Sequence, residues 1–312
     1  MKDPAANRSS DAPALTIERV ASTDVSKLRQ LLPQWLSVHA EREHVPATIQ
    51  RVQCAMERYG DGELRTALQR YRDLAAEFRY YPADPVARAI GQEFVRDMAV
   101  DPKLTGIEHL RAALEAGPCL LLCNHLSYAD SQFTDFLFAT HDADDLARRL
   151  VFVAGPKVYE SPTRRMAALG LNTLPTLQST RLGRGSLSAR EVARIALGTV
   201  EQASQLMREG HAIVLYGEGT RSRTGRLCSF LRASSRYAGA ATRVVPMALM
   251  GSDRSFPVHE QAMRPAHVEL SIGDWVAVEA GDRQAAIEEG WRRIAALLPE
   301  GYQPEAGTPP LQ

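Results

Sequence analysis

The chain has 312 residues, 45% of them hydrophobic, with 37 basic and 37 acidic side chains, which suits one large α/β domain or two smaller ones around a sizeable core. No run approaches the roughly 18 apolar residues of a membrane-spanning helix, and the start, MKDPAANRSSDAPALTIERV, lacks the apolar middle of a signal peptide. The cysteines Cys54, Cys119, Cys123 and Cys228 form no metal-type pair and point to a reducing compartment, so a soluble cytoplasmic protein is expected, with peripheral membrane contact left open.

Residues 1–14 are small and polar and read as a loose start. From Asp24 to about Val100 the apolar spacing is helical, as in Leu28, Leu31, Leu32 and Leu36 and later Leu64, Leu68, Tyr71 and Leu74, with Gly60 and Pro82 as breakers and no convincing strand. After Leu104 short apolar runs alternate with helical segments. Strands are expected at 119–123, 150–154, 212–216, 243–250 and 267–272, and helices at 105–116, 129–139, 161–169, 188–208, 230–239 and 282–298. The fold class that follows is α/β, a mixed and mostly parallel sheet flanked by helices and preceded by a small helical N-terminal domain. The expected division is a helical domain over 1–84, an α/β domain over 85–300 and a loose tail over 301–312, which is rich in proline and glycine.

Two segments follow strand candidates, where ligands bind in open sheets of this type. The first is Asn124-His125-Leu126-Ser127-Tyr128-Ala129-Asp130, after Cys119–Cys123. In a regular helix, residues five apart point roughly 140° away from each other. His125 and Asp130 therefore meet only if the strand turns into a helix between them, with His125 in the turn and Asp130 in the first helical turn. Ser127 and Asp130 also fit a capping box, in which Asp130 is a helix cap and His125 is structural. The second segment is Tyr216 to Gly225, YGEGTRSRTG. Its glycines allow close ligand approach, Arg221 offers a planar fork for a phosphate, and Thr220, Ser222 and the loop amides can add donors, while Glu218 can anchor the arginine or bind a hydroxyl. Neither GxGxxG nor GK[ST] occurs. The same pattern also suits a solvated turn.

Residues 146–236 hold fifteen Arg or Lys against five Glu and no Asp. Positive charge around these segments attracts phosphates, and the acidic remainder argues against a nucleic-acid partner. Lys157, Arg164 and Arg165 read as a solvated helix face, or as a contact for a phosphate-bearing or acidic partner. Pro246 reads as shaping a strand edge.

Taken together, NHxSxxD at 124–130, GEGTRSRTG at 217–225 and Val244-Val245-Pro246 resemble the glycerophosphate acyltransferase family, over about residues 100–280. The resemblance implies that His125 is the base, Asp130 its orienting carboxylate, and Glu218, Gly219 and Arg221 part of the acceptor site, with Thr220 and Ser222 beside them. The family carries a further block ending in a phosphate-contacting arginine. Here it corresponds to Gly170 through Arg181, and Arg181 is assigned to that role with Arg184 as competitor. Thr180 stands where the family has an acidic residue, and Gly217 stands where a proline commonly precedes the glutamate.

The chemistry also follows from the residues. An acceptor hydroxyl is a poor nucleophile until a base removes its proton during attack on a thioester carbonyl, and His125 can do so while Asp130 fixes its tautomer. Amides near the helix start are expected to meet the oxyanion, and the thiol of coenzyme A or an acyl carrier protein leaves. No permanently bound cofactor and no metal is expected; the acyl thioester is a substrate. The resemblance implies acyl transfer to glycerol 3-phosphate in phospholipid precursor synthesis. Lysophosphatidate (1-acylglycerol 3-phosphate), a non-phosphate acceptor, a non-catalytic lipid-binding protein of the same fold and a Cys123 hydrolase are the alternatives.

Overall fold

The computed structural model describes residues 16–177, 187–279 and 281–312. Eight strands form one sheet: β1 (Ala99–Thr105), β2 (Cys119–Cys123), β3 (Leu150–Ala154), β4 (Thr173–Pro175), β5 (Ala212–Tyr216), β6 (Arg243–Met250), β7 (Ala266–Ile272) and β8 (Val276–Ala277). Their order is β1-β7-β6-β2-β5-β3-β4, with β8 also on β6. Pairing is parallel except where β6 meets β7 and β8. The sheet is thus mixed and mostly parallel, flanked by helices and preceded by a helical region, as expected.

Strand β2 explains why the middle of this sheet reads as an unbroken apolar run. Both faces of a parallel strand are covered, so no position is left for a polar residue. Cys119, Leu121 and Cys123 enter one buried cluster with Val214, Val245, Phe133 and Leu137. Leu120 and Leu122 enter the other with Ile213, Leu215, Val244, Ile287 and Ile294. The alternation is the two-residue period of a strand. A third cluster joins Leu28, Leu32, Leu64, Leu68 and Tyr71 of the N-terminal helices to Val86, Ile90, Tyr159, Met166 and Leu169.

Three strands escape the sequence pattern. Strand β1 has the composition AVDPKLT and lies at the sheet edge, where Pro102 falls inside a register shift between Val100 and Lys103. An edge strand need not be apolar on both faces and tolerates proline, so it carries no periodic signature. Strands β4 and β8 have three and two residues, too few for any pattern. The helix expected over 230–239 is a 3-10 helix from Arg232 to Gly239.

Four other expectations are corrected. The tail 301–312 is packed rather than loose: Tyr302 and Leu311 belong to the second core cluster, Phe230 donates its amide to the Pro310 carbonyl, and Gln312 returns a bond to Phe230. Proline and glycine there shape a strap across the 217–231 loop region rather than release it. Arg165 is not solvated; it donates to the carbonyls of Tyr71, Tyr159, Arg72 and Leu74. Arg164 lies against the ring of Tyr128, which leaves only Lys157 of the three exposed. Pro246 sits in an inner strand, at the point where the antiparallel partner of β6 changes from β8 to β7, so the ladder there is already interrupted.

Among the described residues, no helix is long and apolar enough to cross a membrane. Helix Arg283–Leu297 lies close on the sheet because residue 290 is glycine: a Cβ there would sit 2.9 Å from Leu122 and 3.0 Å from Val244. Gly290→Leu is expected to overpack this contact and lower stability by about 1–3 kcal/mol. A urea titration reads the change as a lower midpoint with an unchanged slope. An unaltered midpoint would mean that the helix lifts off the sheet without cost.

Candidate active site

Strands β5, β2 and β6 are consecutive neighbours and run the same way, with Cys123 level with Tyr216 on one side and Met247 on the other. Their carboxyl ends therefore deliver the segments 217–225, 124–130 and 251–255 to one edge of the sheet. Asn124 pins the first of these turns. Its side-chain amide donates to the Leu249 carbonyl at 2.9 Å and its carbonyl oxygen accepts from the Leu249 amide at 2.8 Å.

Beyond Asn124 the chain turns, and helix Asp130–Thr140 begins. The turn brings the two expected partners together: Nδ1 of His125 donates to Oδ2 of Asp130 at 2.7 Å. Asp130 is 1% exposed and accepts four more bonds, from the Leu126 and Ser127 amides at 2.7 and 2.9 Å, the Ser127 hydroxyl at 3.0 Å and the Ser252 hydroxyl at 2.6 Å. The capping-type bonds and the imidazole bond thus coexist, because a carboxylate offers about four lone-pair sites on two oxygens. The amides of Leu126 and Ser127 are spent on Asp130 and that of Ala129 on the Ser127 hydroxyl, so these three are not oxyanion donors as expected.

The imidazole is also held from its face. The His125 and Tyr216 rings stack with centroids 4.5 Å apart and planes 23° from parallel, and the Tyr216 hydroxyl meets Ser131 Oγ at 3.1 Å. The helix that carries Asp130 is fixed in turn by Arg88, whose guanidinium binds Asp135 and Asp144.

The second loop lies against the first. The Ser222 amide donates to the His125 carbonyl at 2.7 Å, and its hydroxyl donates to the Arg226 carbonyl at 2.7 Å. Ser222 therefore ties the loops together and has no hydroxyl proton left for a ligand. Gly219 turns at φ +68°, a left-handed conformation that side chains disfavour. Thr220 is exposed. Arg221 is half-buried, with its guanidinium carbon 3.6 Å from the centroid of the Tyr128 ring. Glu218 turns inward at 2% exposure; one oxygen accepts from the Cys228 amide at 3.3 Å, and the other has no partner among the described residues. Burial pushes its carboxyl well above the usual range, against the pull of the Cys228 and His125 amides, and the nearby Asp130 adds to the rise. Arg181 and its competitor Arg184 lie outside the described residues.

A cavity of about 380 Å³ opens beside the turn, lined by Tyr128, Arg164 and Arg221 at its polar end and by apolar groups that include Leu36, Ile90 and Phe94. The thiol of Cys123 is fully buried and burial pushes it far up, so it is no nucleophile. Among the described residues, the one grouping with metal-ligand spacing is Glu41, Glu43 and His44, which includes nothing from the two loops. Ser252, Asn124, Tyr216 and Tyr128 have site contacts that sequence reasoning missed. Ser252 carried one signal, its place just beyond the strand at 243–250, but strand order is needed to bring it to Asp130.

Two outcomes follow from the buried carboxyls. Ser252→Ala removes one of five donors from Asp130 and is expected to cost about 1.5–3 kcal/mol of stability in urea unfolding; no loss would mean that water replaces the hydroxyl. The carboxyl of Glu218 binds its proton more tightly folded than unfolded, so stability contributed by this group is complete below the ordinary value of 4.5 and is lost as pH rises from there through the raised folded value. Glu218→Gln removes that loss. Parent and variant should match in urea midpoint near the ordinary value and diverge at higher pH, with the variant the more stable; parallel profiles would place Glu218 in water.

Comparison with known proteins bears on this arrangement. Residues 101–250 match the family model described as Acyltransferase, a span that contains both loops and strands β2 to β6. No curated protein matches the chain. Among solved structures, the chain is similar to the 1-acyl-sn-glycerophosphate (LPA) acyltransferase, PlsC, from Thermotoga maritima, at 18% identity and a TM-score of 0.47, over 86% of this chain and 97% of that one. The family match places an Acyltransferase domain over residues 101–250, slightly under half of the chain, and the chain is an enzyme of acyl transfer.

Proposed function

We propose that the protein moves a fatty acyl group from an acyl thioester to a hydroxyl of a phosphate-bearing glycerol, with glycerol 3-phosphate as the acceptor. The observation that carries this reading is the His125–Asp130 pair at 2.7 Å, joined through the Ser222–His125 bond to the loop that presents Arg221. Nδ1 is committed to Asp130, so Nε2 is the nitrogen that takes the acceptor proton. Asp130 holds the tautomer and stabilises the imidazolium, and its five donors keep it from wandering. The acceptor oxygen attacks the thioester carbonyl, the tetrahedral intermediate collapses, and the thiol of coenzyme A or an acyl carrier protein departs with the proton returned by His125. Arg221 holds the acceptor phosphate, Gly219 and Thr220 shape the loop, and Ser222 keeps the phosphate side fixed relative to the base. Glu218 contributes as a buried, inward carboxyl beneath the loop.

A second reading has one observation in its favour. The cavity that receives Arg221 is mostly apolar, with Leu36, Ile90 and Phe94 on its walls. An acceptor that already bears one acyl chain, 1-acylglycerol 3-phosphate, fits a site with a cationic end and an apolar body. This activity belongs to phospholipid precursor synthesis in either reading.

Thiol release from acyl-coenzyme A, measured with glycerol 3-phosphate, with 1-acylglycerol 3-phosphate and without acceptor, tests both. Release should depend on the acceptor and fall at least about a hundredfold in His125→Ala. Arg221→Ala should raise the acceptor KM far more than the donor KM. Acceptor-dependent release that survives loss of the imidazole would sink the proposed base, and equal effects on both KM values would remove Arg221 from the acceptor site.

A further inference from the structure

Tyr128 stands between His125 and Asp130, and its ring carries two cations. The guanidinium carbon of Arg221 lies 3.6 Å from the ring centroid and that of Arg164, from helix Pro162–Leu169, lies 4.1 Å away. Attraction to the ring quadrupole accounts for one cation on an aromatic face. It does not offset the repulsion between the two cations, and Arg164 is near enough for its charge to disfavour that of Arg221.

The other arginines nearby show how this chain ordinarily satisfies such groups. Arg165 spends its donors on backbone carbonyls, Arg88 is paired with Asp135 and Asp144, and Arg226 reaches the carbonyls of Glu300 and Gln303. Arg164 differs. Its Nε is buried with no hydrogen-bond partner, and neither Arg164 nor Arg221 has a carboxylate partner among the described residues. A guanidinium has five donors in a fixed fork, and leaving even one of them buried and dry is costly. Both side chains line the same cavity. Burial lowers the pKa of Arg221 most, and the charge of Arg164 lowers it further, against the opposing pull of Tyr128 and Asp130.

We propose that Arg164 is the second guanidinium of the acceptor-phosphate site, and that it and Arg221 together hold one dianionic phosphate group beside the Tyr128 ring. Two forks and two positive charges match a phosphate dianion, whereas a carboxylate needs only one fork. Tyr128 sets the spacing. Because it belongs to the turn between His125 and Asp130, it also fixes the phosphate relative to the base. That the phosphate belongs to an acyl acceptor rests on the function proposed above; the two-arginine anion site does not.

Calorimetric titration of the full chain with inorganic phosphate at low ionic strength tests the site without any acyl transfer. The parent should bind, Arg164→Met should bind about tenfold more weakly, and Arg164→Lys, which keeps the charge but loses the fork, should fall between them. Lys157→Met, at an exposed cation of the neighbouring helix, should bind as the parent does. In the transfer assay Arg164→Met should raise the acceptor KM by about tenfold with kcat and the donor KM little changed. Phosphate binding that ignores Arg164, an equal loss in Lys157→Met, or a folded parent that binds no phosphate overturns the proposal. Should Arg164→Met fail to fold, the Arg164→Lys titration decides alone, with parent-like affinity as the refuting result. Binding that follows Arg164 in a chain whose thiol release ignores every acceptor would sink the acyl-acceptor reading and leave the anion site standing. Acceptor-dependent release with phosphate binding indifferent to Arg164 would do the reverse.

Discussion

The carboxylate of Asp130 is the point on which the site is built. A charge taken out of water is tolerated only where donors replace its hydration. Here five donors do so, drawn from the turn after β2 and from the segment after β6. The geometry is consequently over-determined: moving the turn breaks the amide bonds, and moving the β6 segment withdraws Ser252. Gly251 makes that approach feasible, since it turns at φ +83° where a Cβ would run into the His267 carbonyl. The imidazole inherits its orientation from this cluster and from the stacked ring of Tyr216.

Two carboxyl groups at one strand edge must not both be charged without counterions. Asp130 is surrounded by donors, whereas Glu218 has one long hydrogen bond, from the Cys228 amide, and the weaker pull of the His125 amide, with no hydrogen-bond partner on its other oxygen among the described residues. Burial pushes the carboxyl of Glu218 well above the usual carboxylate range. The consequence reaches the arginines. A second buried anion under the 217–225 loop would offset the charge of Arg221 from within and reduce what it has left for a ligand, and the burial of Glu218 works against that anion.

What could be read from the sequence follows the physical range of each interaction. The inner strands were legible because parallel burial on both faces demands an apolar run, and Cys119–Cys123 obeys it residue by residue. The meeting of His125 and Asp130 was legible as a requirement for a turn, since it involves neighbours in the chain. Ser252 was not, because its bond to Asp130 spans 122 positions and depends on β6 lying beside β2, an order that periodicity does not encode. Strand β1 was hidden by its edge position. The tail misled through its composition: proline and glycine suit a loose end as well as a strap, and only the pairing of residues 310–312 with Phe230 separates the two. Arg165 misled similarly, since a helical arginine looks solvated until backbone carbonyls from another helix close over it.

Arg165 also explains how helices outside the family's span reach the chemistry. It fastens helix Pro162–Leu169 to the carbonyls at the end of helix Asp61–Asp73, and Met166 and Leu169 of the same helix enter the N-terminal core cluster. His39 makes a second tie, with Nε2 on the Thr163 hydroxyl and Nδ1 on the Gln261 carbonyl. Arg164 stands between these anchors. Its position over Tyr128 is therefore set by the N-terminal helices as much as by the acyltransferase segment, and the cavity that contains it has Leu36 and Ile90 from those helices in its wall. A helical region that contributes no residue to the His125–Asp130 pair thus shapes the space and the charge opposite it.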